Sequence, residues 1–273
     1  MGAGNLATAL ALALRRADYR IDQIVSRKGG GPRAKWLARK VGTCAVVNPK
    51  SLAAEILWLC VPDGEIARAA SSIAERFDAR GTIALHSSGA LTSDELRSLS
   101  RKGAEVASVH PLMTFVRNSV PSLSGVPFAI EGDSKAVRAA RGIVRDLGGA
   151  AYRIQKEQKN AYHAWGTFAS PLLTALLATT EHVAALAGVK AKAARRRMLP
   201  ILLRTVENYG RLGAAKGFSG PIIRGDMEAV RRHLEVLRSA PIPKQVYLAL
   251  ARAAMEYLPA SNRERLARLL TSA

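Results

Sequence analysis

The 273-residue sequence has little cysteine, few aromatic residues and few acids. Its two cysteines, Cys44 and Cys60, are too few for a disulfide framework, so we expect a reducing compartment, the cytoplasm. No charged start followed by an apolar segment and a small-residue cleavage site is present, which predicts no signal peptide. The longest apolar run near the N-terminus is broken at Arg15 and Arg16, so no membrane span is expected there.

Acids are outnumbered two to one: 41 Lys and Arg stand against 21 Asp and Glu, a formal net charge of +20. The excess indicates either a polyanionic partner such as nucleic acid or the composition of an arginine-rich proteome combined with a phosphate-bearing cofactor. The basic residues are scattered, and the one cluster, Arg195–Arg197, has no interleaved aromatic residues for base stacking. We therefore do not expect nucleic acid to be the main partner.

The first half of the chain alternates short apolar segments with amphipathic ones. Strands are predicted at Ile21–Ser26, Ile56–Val61, Thr82–His86, Val106–His110, Pro127–Glu131 and Ala151–Ile154, and helices at Leu6–Arg16, Pro32–Lys40, Glu65–Phe77 and Ser134–Leu147. This alternation predicts a doubly wound, mostly parallel sheet of the Rossmann type. From Lys156 onward strand signals vanish and Ala/Leu-rich helical stretches follow. We therefore predict an α/β domain over residues 1–155 and an all-α domain over residues 156–273.

The sequence opens with a Gly-x-Gly-x-x-Ala motif that begins at Gly2. In a dinucleotide fingerprint the first glycine permits a tight turn, and the second lets the backbone approach the pyrophosphate. We therefore expect Gly2, Gly4, Asn5 and Leu6 to contact a dinucleotide. The motif normally follows a strand, but Met1 directly precedes Gly2. We accordingly expect the first strand of the sheet to be missing and the N-terminus to be truncated.

The next predicted strand ends in Ser26, Arg27 and Lys28, without an acid. A carboxylate there would bind the ribose 2′-hydroxyl of NAD, whereas hydroxyl and basic groups suit the 2′-phosphate of NADP. The alternative is a solvated basic turn. We predict NADP, held by these three residues, with Val61 and Pro62 at the end of the following strand as further contacts.

Two more strand ends carry candidates for chemistry, His86 with Ser87, and His110. Ligands of open α/β sheets lie across the carboxyl ends of the strands, so these side chains could transfer protons or orient a carbonyl. The alternative is that both histidines only shape their loops. Lys159 and His163, four residues apart on one helical face, complete the candidate catalytic set. The histidines and cysteines show no metal-ligand spacing, and no metal is expected.

Two residues of the helical half are candidates for substrate binding. Arg224 lies in a glycine-bounded loop and could clamp an anionic group, while Asp226 could pair with it or cap the next helix. Asn208 lies on an otherwise apolar helix, as either a pocket wall or a satisfied buried polar group.

Together these segments resemble a known family. The resemblance is carried by Gly2-Ala3-Gly4-Asn5-Leu6-Ala7, Val61-Pro62-Asp63, His86-Ser87-Ser88-Gly89, His110-Pro111-Leu112, Tyr162-His163, and Gly220-Pro221 with Arg224-Gly225-Asp226. The chain is similar to bacterial Rossmann-like proteins with a C-terminal helical domain of unknown function. These are distant relatives of pyrroline-5-carboxylate reductase, the deazaflavin-dependent NADP oxidoreductases and the β-hydroxyacid dehydrogenases.

The resemblance implies an NADP-dependent oxidoreductase that acts on a small carbonyl, imine or hydroxy compound and forms a homodimer through its helical domain. In the β-hydroxyacid dehydrogenases a catalytic lysine precedes an asparagine by four residues on this helix. Lys156 and Asn160 have that spacing, and Lys159 and His163 have it with histidine in place of asparagine. The alternative function is an NADP-binding sensor or regulatory protein without turnover.

Overall fold

The computed structural model describes residues 1–26, 31–47, 49, 51 and 54–272. These residues form two compact units, Met1–Phe168 and Ala169–Ala273. The first is α/β and the second is all-helical, which confirms the predicted fold class. The boundary near residue 155 that composition indicates stays a prediction.

The first unit alternates helices and strands. In chain order it contains α1 (Asn5–Arg16), β1 (Gln23–Val25), α2 (Pro32–Lys40), β2 (Cys44–Val46), β3 (Ile56–Leu59), α3 (Ile66–Ala74), β4 (Ile83–His86), α4 (Arg97–Ser100), β5 (Glu105–Pro111), β6 (Pro127–Gly132), α5 (Ser134–Asp146), β7 (Ala150–Arg153) and α6 (Lys159–Thr167). Every strand predicted from the sequence is present, with each end within two residues. Strand β2 and helix α4 are not predicted from the sequence, because three or four residues are too short to show a periodic pattern.

Strands β3 to β7 form one sheet in that order, and β1 pairs with β2 in a separate parallel pair. Strands β3, β4 and β5 are mutually parallel, and their register aligns Leu59 with His86 and His86 with Ser108. The carboxyl ends of these three strands therefore meet at one edge of the sheet. Strand β6 runs antiparallel to β5, and β7 is parallel to β6.

Met1 and Gly2 join the two sheets through backbone hydrogen bonds. The N–H of Gly2 donates to the carbonyl of Val25 at 2.8 Å, and the N–H of Cys60 donates to the carbonyl of Met1 at 2.7 Å. The glycine motif therefore lies between the carboxyl ends of β1 and β3. A Cβ at Gly2 would overlap the carbonyl oxygen of Cys60, and φ is +105° there, so this turn requires glycine.

Helices cover both faces of the larger sheet. Alternate strand residues enter two separate apolar clusters, as the period of two along a strand requires. Trp58, Leu85 and Ala107 pack with α1 and α5 residues such as Leu10 and Ile143. Leu57, Leu59, Ala84 and Val106 pack with α3 and α4 residues such as Ile66 and Leu99. The parallel strands are thus buried on both faces, which fixes the positions of the loops at their carboxyl ends.

The second unit consists of helices α7 (Leu173–Leu186), α8 (Ala191–Gly217), α9 (Pro221–Arg224), α10 (Met227–Val236), α11 (Pro241–Tyr257) and α12 (Arg263–Thr271). Val230, Leu234, Ala251, Leu266 and Leu270 form its core. Among the described residues no single helix is long and apolar enough to cross a membrane, although the bent pair Lys156–Leu186 and Ala191–Arg224 meets that length and composition when combined.

Candidate active site

The carboxyl ends of β1, β3, β4 and β5 carry most of the residues that the sequence singled out. Ser26 follows β1, Val61 and Pro62 follow β3, His86 and Ser87 close β4, and His110 is the penultimate residue of β5. The glycine motif enters the same edge between β1 and β3. In an open α/β sheet this edge is where ligands bind.

The start of α1 has the features of a site for a pyrophosphate. Gly4 is the N-cap residue of α1, and no side chain caps this end of the helix. The first backbone N–H groups of α1 therefore remain available as hydrogen-bond donors. A Cβ at Gly4 would meet nothing within 4 Å, so the backbone there borders open space. Free amides at the positive end of a 12-residue helix attract an anion.

A polar group without a partner lies at the end of β1. The hydroxyl oxygen of Ser26 is buried and has no hydrogen-bond partner among the described residues. Buried hydroxyls are normally satisfied, so an orphan at the predicted cofactor position fits a ligand that supplies the missing partner. Arg27 and Lys28, the other two residues predicted for the 2′-phosphate, lie outside the described residues.

Arg33 is a residue near this place that the sequence analysis missed. It lies in the first turn of α2, and its Nη2 donates to the side-chain oxygen of Asn5 at 2.5 Å. The Nδ2 of Asn5 in turn donates to the carbonyl of Phe115 at 2.9 Å. A guanidinium beside the glycine motif adds positive charge where a dinucleotide phosphate would bind. The available signal was a basic residue two positions after the glycine run that ends at Gly31.

His86 is committed to the loop that follows β4. The N–H of Ser88 donates to its Nδ1 at 3.1 Å, so the ring proton is on Nε2, 2.9 Å from the carbonyl oxygen of Thr92. Burial lowers the pKa of His86 to about 4, which leaves the ring neutral at pH 7. The hydroxyl of Ser88 donates to Asp63 at 2.8 Å and accepts from the N–H of Leu91 at 2.9 Å. The loop is therefore held by side chains at several points.

Lys159, on α6, lies beneath the same loop. Its side chain is 1% exposed, and its Nζ donates to the carbonyl of Ser88 at 2.9 Å and to the hydroxyl of Ser108 at 2.5 Å. Burial lowers the pKa of Lys159 to about 8, and the nearby Glu131 carboxylate opposes that shift. Lys156, the alternative lysine, is partly exposed and pairs with Asp94 at 2.6 Å. The structure thus brings Lys159, rather than Lys156, to the Ser88 loop.

Glu131 is a second residue that the sequence analysis missed. It is 3% exposed on β6, and an oxygen of its carboxylate lies 4.0 Å from the Nζ of Lys159. Its two oxygens accept hydrogen bonds from the N–H and the hydroxyl of Ser93, at 2.7 and 2.9 Å. An acid at the end of the apolar segment Pro127–Glu131 was the available signal, since buried acids are rarely left unpaired.

His110 and His163 approach each other across Gly89. A Cβ at Gly89 would lie 2.9 Å from the Nε2 of His110 and 2.9 Å from the Cδ2 of His163, so the two rings flank this glycine. The Nδ1 of His110 is 2.6 Å from the hydroxyl of Tyr162. Burial lowers the pKa of His110 to about 4. Ser87 accepts a hydrogen bond from the indole N–H of Trp58 at 2.8 Å.

The two substrate candidates of the helical half lie in the second unit. Arg224 ends α9 and is exposed, and Asn208 is half-buried on α8. Asp226 caps α10, because its carboxylate accepts a hydrogen bond from the N–H of Ala229 at 3.0 Å. Of the two roles considered for Asp226, this is the helix cap. Within the residues that the structure describes, no group of three His, Cys, Asp or Glu side chains could hold a metal ion.

Comparison with known proteins agrees with this architecture. Residues 1–111 match the Rossmann-like domain family, and residues 126–254 match a family described as a domain of unknown function, DUF2520. The chain therefore joins a Rossmann-like domain to a DUF2520 domain, as the sequence resemblance predicted. No curated protein matches the sequence.

Several solved structures share the fold along nearly the whole chain. A Bacteroides fragilis protein, provisionally assigned as an NADP oxidoreductase, is 24% identical, with a TM-score of 0.76 over 92% of this chain and 95% of its own. A pyrroline-5-carboxylate reductase from Coxiella burnetii is 13% identical, with a TM-score of 0.60 over 93% of both chains. A reductive aminase from Aspergillus terreus, in complex with NADPH and ethyl levulinate, is 14% identical, with a TM-score of 0.66 over 98% of this chain and 96% of its own.

Proposed function

We propose that this protein is an NADP-dependent oxidoreductase that moves a hydride between NADP(H) and a small carbonyl, imine or hydroxy compound. The observation that carries the proposal is the edge of the sheet where the glycine motif, the orphan hydroxyl of Ser26 and the His110–Gly89–His163 cluster meet. The names of the structural relatives support it, since they include an oxidoreductase, a reductase and an aminase crystallised with NADPH.

In this proposal the cofactor lies across the carboxyl ends of the strands. Gly2, Gly4, Asn5 and Leu6 hold the pyrophosphate, and Ser26, Arg27 and Lys28 hold the 2′-phosphate, with Val61 and Pro62 bordering the remainder. The positive end of α1 and the guanidinium of Arg33 add electrostatic attraction for the phosphates. When bound, NADPH supplies the hydride.

The chain's own residues then position the substrate. The Nε2 of His110 and the ring of His163 lie next to Gly89, and Ser87 lies at the end of β4; we propose that these three side chains contact it. His86 and Lys159 act one step removed, because their polar atoms are already bonded to the Ser88 loop. A loop fixed in advance holds the substrate at a defined distance from the hydride without further ordering during the reaction.

The second unit has an exposed apolar surface on α8 that suggests a protein partner. Helix α8 exposes a set of large apolar side chains, Leu199, Ile201, Leu203, Val206 and Tyr209, each more than half exposed. Leu199, Leu203 and Val206 are three or four residues apart and share one face of α8, while Ile201 lies on another. Large apolar side chains exposed on more than one face of a helix are typical of a protein interface. We propose that this surface forms a homodimer with a second copy of the chain, and that Arg224 and Asn208 contribute to substrate binding.

With two cysteines and no disulfide framework, the cytoplasm is the proposed compartment.

A titration of NADPH and NADH, followed by fluorescence, tests the cofactor. We expect tighter binding of NADPH, and a loss of about 10-fold or more with Arg27→Ala, because a hydrogen bond to a charged group contributes about 1.5–3 kcal/mol. Arg20→Ala is the matched control, since Arg20 is exposed before β1 and pairs with Asp22. If neither NADPH nor NADH binds, the proposal is contradicted.

The reaction is tested by following NADPH oxidation with three probes: ethyl levulinate, cyclohexanone alone, and cyclohexanone with allyl amine. Cyclohexanone and allyl amine are the compounds bound to the Aspergillus terreus reductive aminase in another solved complex. Turnover of any of them establishes the oxidoreductase. Tight NADPH binding without turnover of a wider ketone and imine panel would favour the sensor function instead.

A further inference from the structure

Tyr162 and His110 form a hydrogen bond at the base of the proposed substrate site. The phenol oxygen lies 2.6 Å from Nδ1, and the two rings meet edge to face with centroids 5.4 Å apart. The other ring nitrogen, Nε2, faces Gly89, where a Cβ would lie 2.9 Å away. The imidazole is thus held at one nitrogen by α6 and presents the other nitrogen to the site.

The direction of this bond follows from counting protons. Burial raises the pKa of Tyr162, so the phenol keeps its one proton, and the lowered pKa of His110 leaves its ring neutral with one proton. Among the described residues, the hydroxyl of Tyr162 bonds to the Nδ1 of His110 and also interacts with the buried hydroxyl of Tyr152, which bonds to no other described group. If the phenol donates to Nδ1, that nitrogen carries no proton and the ring proton is on Nε2. In the opposite arrangement Tyr162 donates to Tyr152 instead, and the buried proton of Tyr152 is left without an acceptor, at a cost of about 1–3 kcal/mol.

We propose that Tyr162 is a positioning residue that fixes His110 as the Nε2–H tautomer, and that the site is thereby built for a substrate with an acceptor oxygen, a ketone or its alcohol, rather than for an iminium. This proposal rests on the proposed function. A carbonyl oxygen accepts from Nε2–H and is polarised by it. A protonated imine presents its own N–H, so donor would meet donor, and specificity against it arises from that mismatch.

A pyrroline-5-carboxylate reductase and a reductive aminase share the fold of this chain. Those proteins are 13–16% identical to this chain, so they share its architecture without fixing its substrate. The substrate class proposed for this chain therefore depends on the tautomer of His110 and not on the shared fold.

The test is long-range ¹H–¹⁵N NMR of the full chain with ¹⁵N-labelled histidine, with His110→Gln used to assign the signals. We expect the wild-type ring to show one protonated Nε2 and one unprotonated Nδ1 at pH 7.5. In Tyr162→Phe, the ¹⁵N chemical shifts of Nδ1 and Nε2 of His110 should move towards each other, because both tautomers become populated. The pKa of His110 should rise, because the donor that stabilises the unprotonated Nδ1 is gone. A wild-type ring protonated at Nδ1, or no change in Tyr162→Phe, would overturn the proposal.

The chain contains its own control. His233 and Tyr247 form a similar pair on α10 and α11, with Nδ1 3.1 Å from the phenol oxygen and ring centroids 5.8 Å apart. Tyr247→Phe should change the signals of His233 and leave those of His110 unaltered. If Tyr162→Phe does not fold by circular dichroism, the wild-type tautomer alone decides the outcome.

The substrate half is tested in the same spectra with the NADPH-loaded protein. Cyclohexanone should shift the Nε2–H signal of His110, whereas cyclohexylammonium, a donor of similar shape, should not. A shift by the ammonium, or the absence of a shift by cyclohexanone in protein that binds NADPH, would overturn the substrate class even if the tautomer is as proposed. Failure of the protein to bind NADPH would refute the proposed function instead, and the tautomer measurement does not depend on it.

Discussion

The two units of this protein place polar and apolar side chains in opposite ways. In the first unit, Lys159, Glu131 and His86 are almost fully buried and hydrogen-bonded around the Ser88 loop. In the second unit, α8 turns Ile201 and Val206 outward, 68% and 63% exposed. Burying charge and exposing apolar surface are both unfavourable for an isolated chain. Each arrangement therefore indicates a role beyond folding: a fixed loop in the first unit and an interface in the second.

Removing the lysine tests the first half of this comparison with the largest expected effect. Lys159→Met leaves the carboxylate of Glu131 without its nearest cation and leaves the carbonyl of Ser88 without a donor. Breaking a buried ion pair on one side costs about 3–5 kcal/mol, so the free energy of unfolding in urea should fall by that amount. Lys156→Met is the matched control three residues away. Its surface pair with Asp94 should contribute about 1 kcal/mol at most. Equal effects of the two variants would show that the buried network is not what stabilises the loop.

The same lysine predicts a pH dependence. Its pKa falls from 10.5 to about 8 on folding, so the folded protein releases this proton first. Between pH 8 and 10.5 the unfolded chain holds more protons, and stability must therefore rise with pH, by about 1.4 kcal/mol per pH unit at most. The penalty of keeping the buried ammonium is fully present below pH 8 and gone above pH 10.5. Urea unfolding of the wild type minus that of Lys159→Met should show this slope, and a flat difference would contradict it.

The exposed face of the second unit gives the next prediction. Ile201→Glu should weaken the proposed dimer, raising its dissociation constant about 10-fold or more, because burying an unpaired carboxylate in an apolar interface costs over about 1.4 kcal/mol. Analytical ultracentrifugation measures the constant. Val116→Glu, at an exposed position of the first unit, is the control and should leave assembly unchanged. A wild-type chain that stays monomeric at high concentration would refute the interface.

The sequence predicted the fold well because fold signals are local. The six predicted strands follow from short apolar runs, and the glycine motif follows from the backbone geometry of its turn. The site was less accessible. His86 and His110 are equivalent by position, each at a strand end, yet His86 has both nitrogens committed while His110 offers Nε2. That difference depends on Ser88 and Tyr162, which come together only through tertiary packing.

Glu131 and Arg33 illustrate the same limit. Each is one charged residue among 62 in the chain, and its meaning comes from a contact with a distant segment, Ser93 in one case and Asn5 in the other. Pairings between segments 28 and 38 residues apart leave no periodic trace in the sequence. Position along a strand identifies where a site lies, whereas burial and partners decide what each side chain does there.

The smallest prediction separates two roles for one acid of the second unit. Asp226 accepts from the N–H of Ala229 and so caps α10, whereas pairing with Arg224 was the alternative from the sequence. Asp226→Ala should therefore lower stability by about 1 kcal/mol, and Asp226→Asn, which can still cap, should cost less. Arg224→Ala should leave stability unchanged, because the carboxylate of Asp226 caps α10 and does not pair with the exposed guanidinium. If Arg224→Ala costs as much as Asp226→Ala, the acid works through an ion pair, and the polar side chains of the second unit would be paired as closely as those of the first.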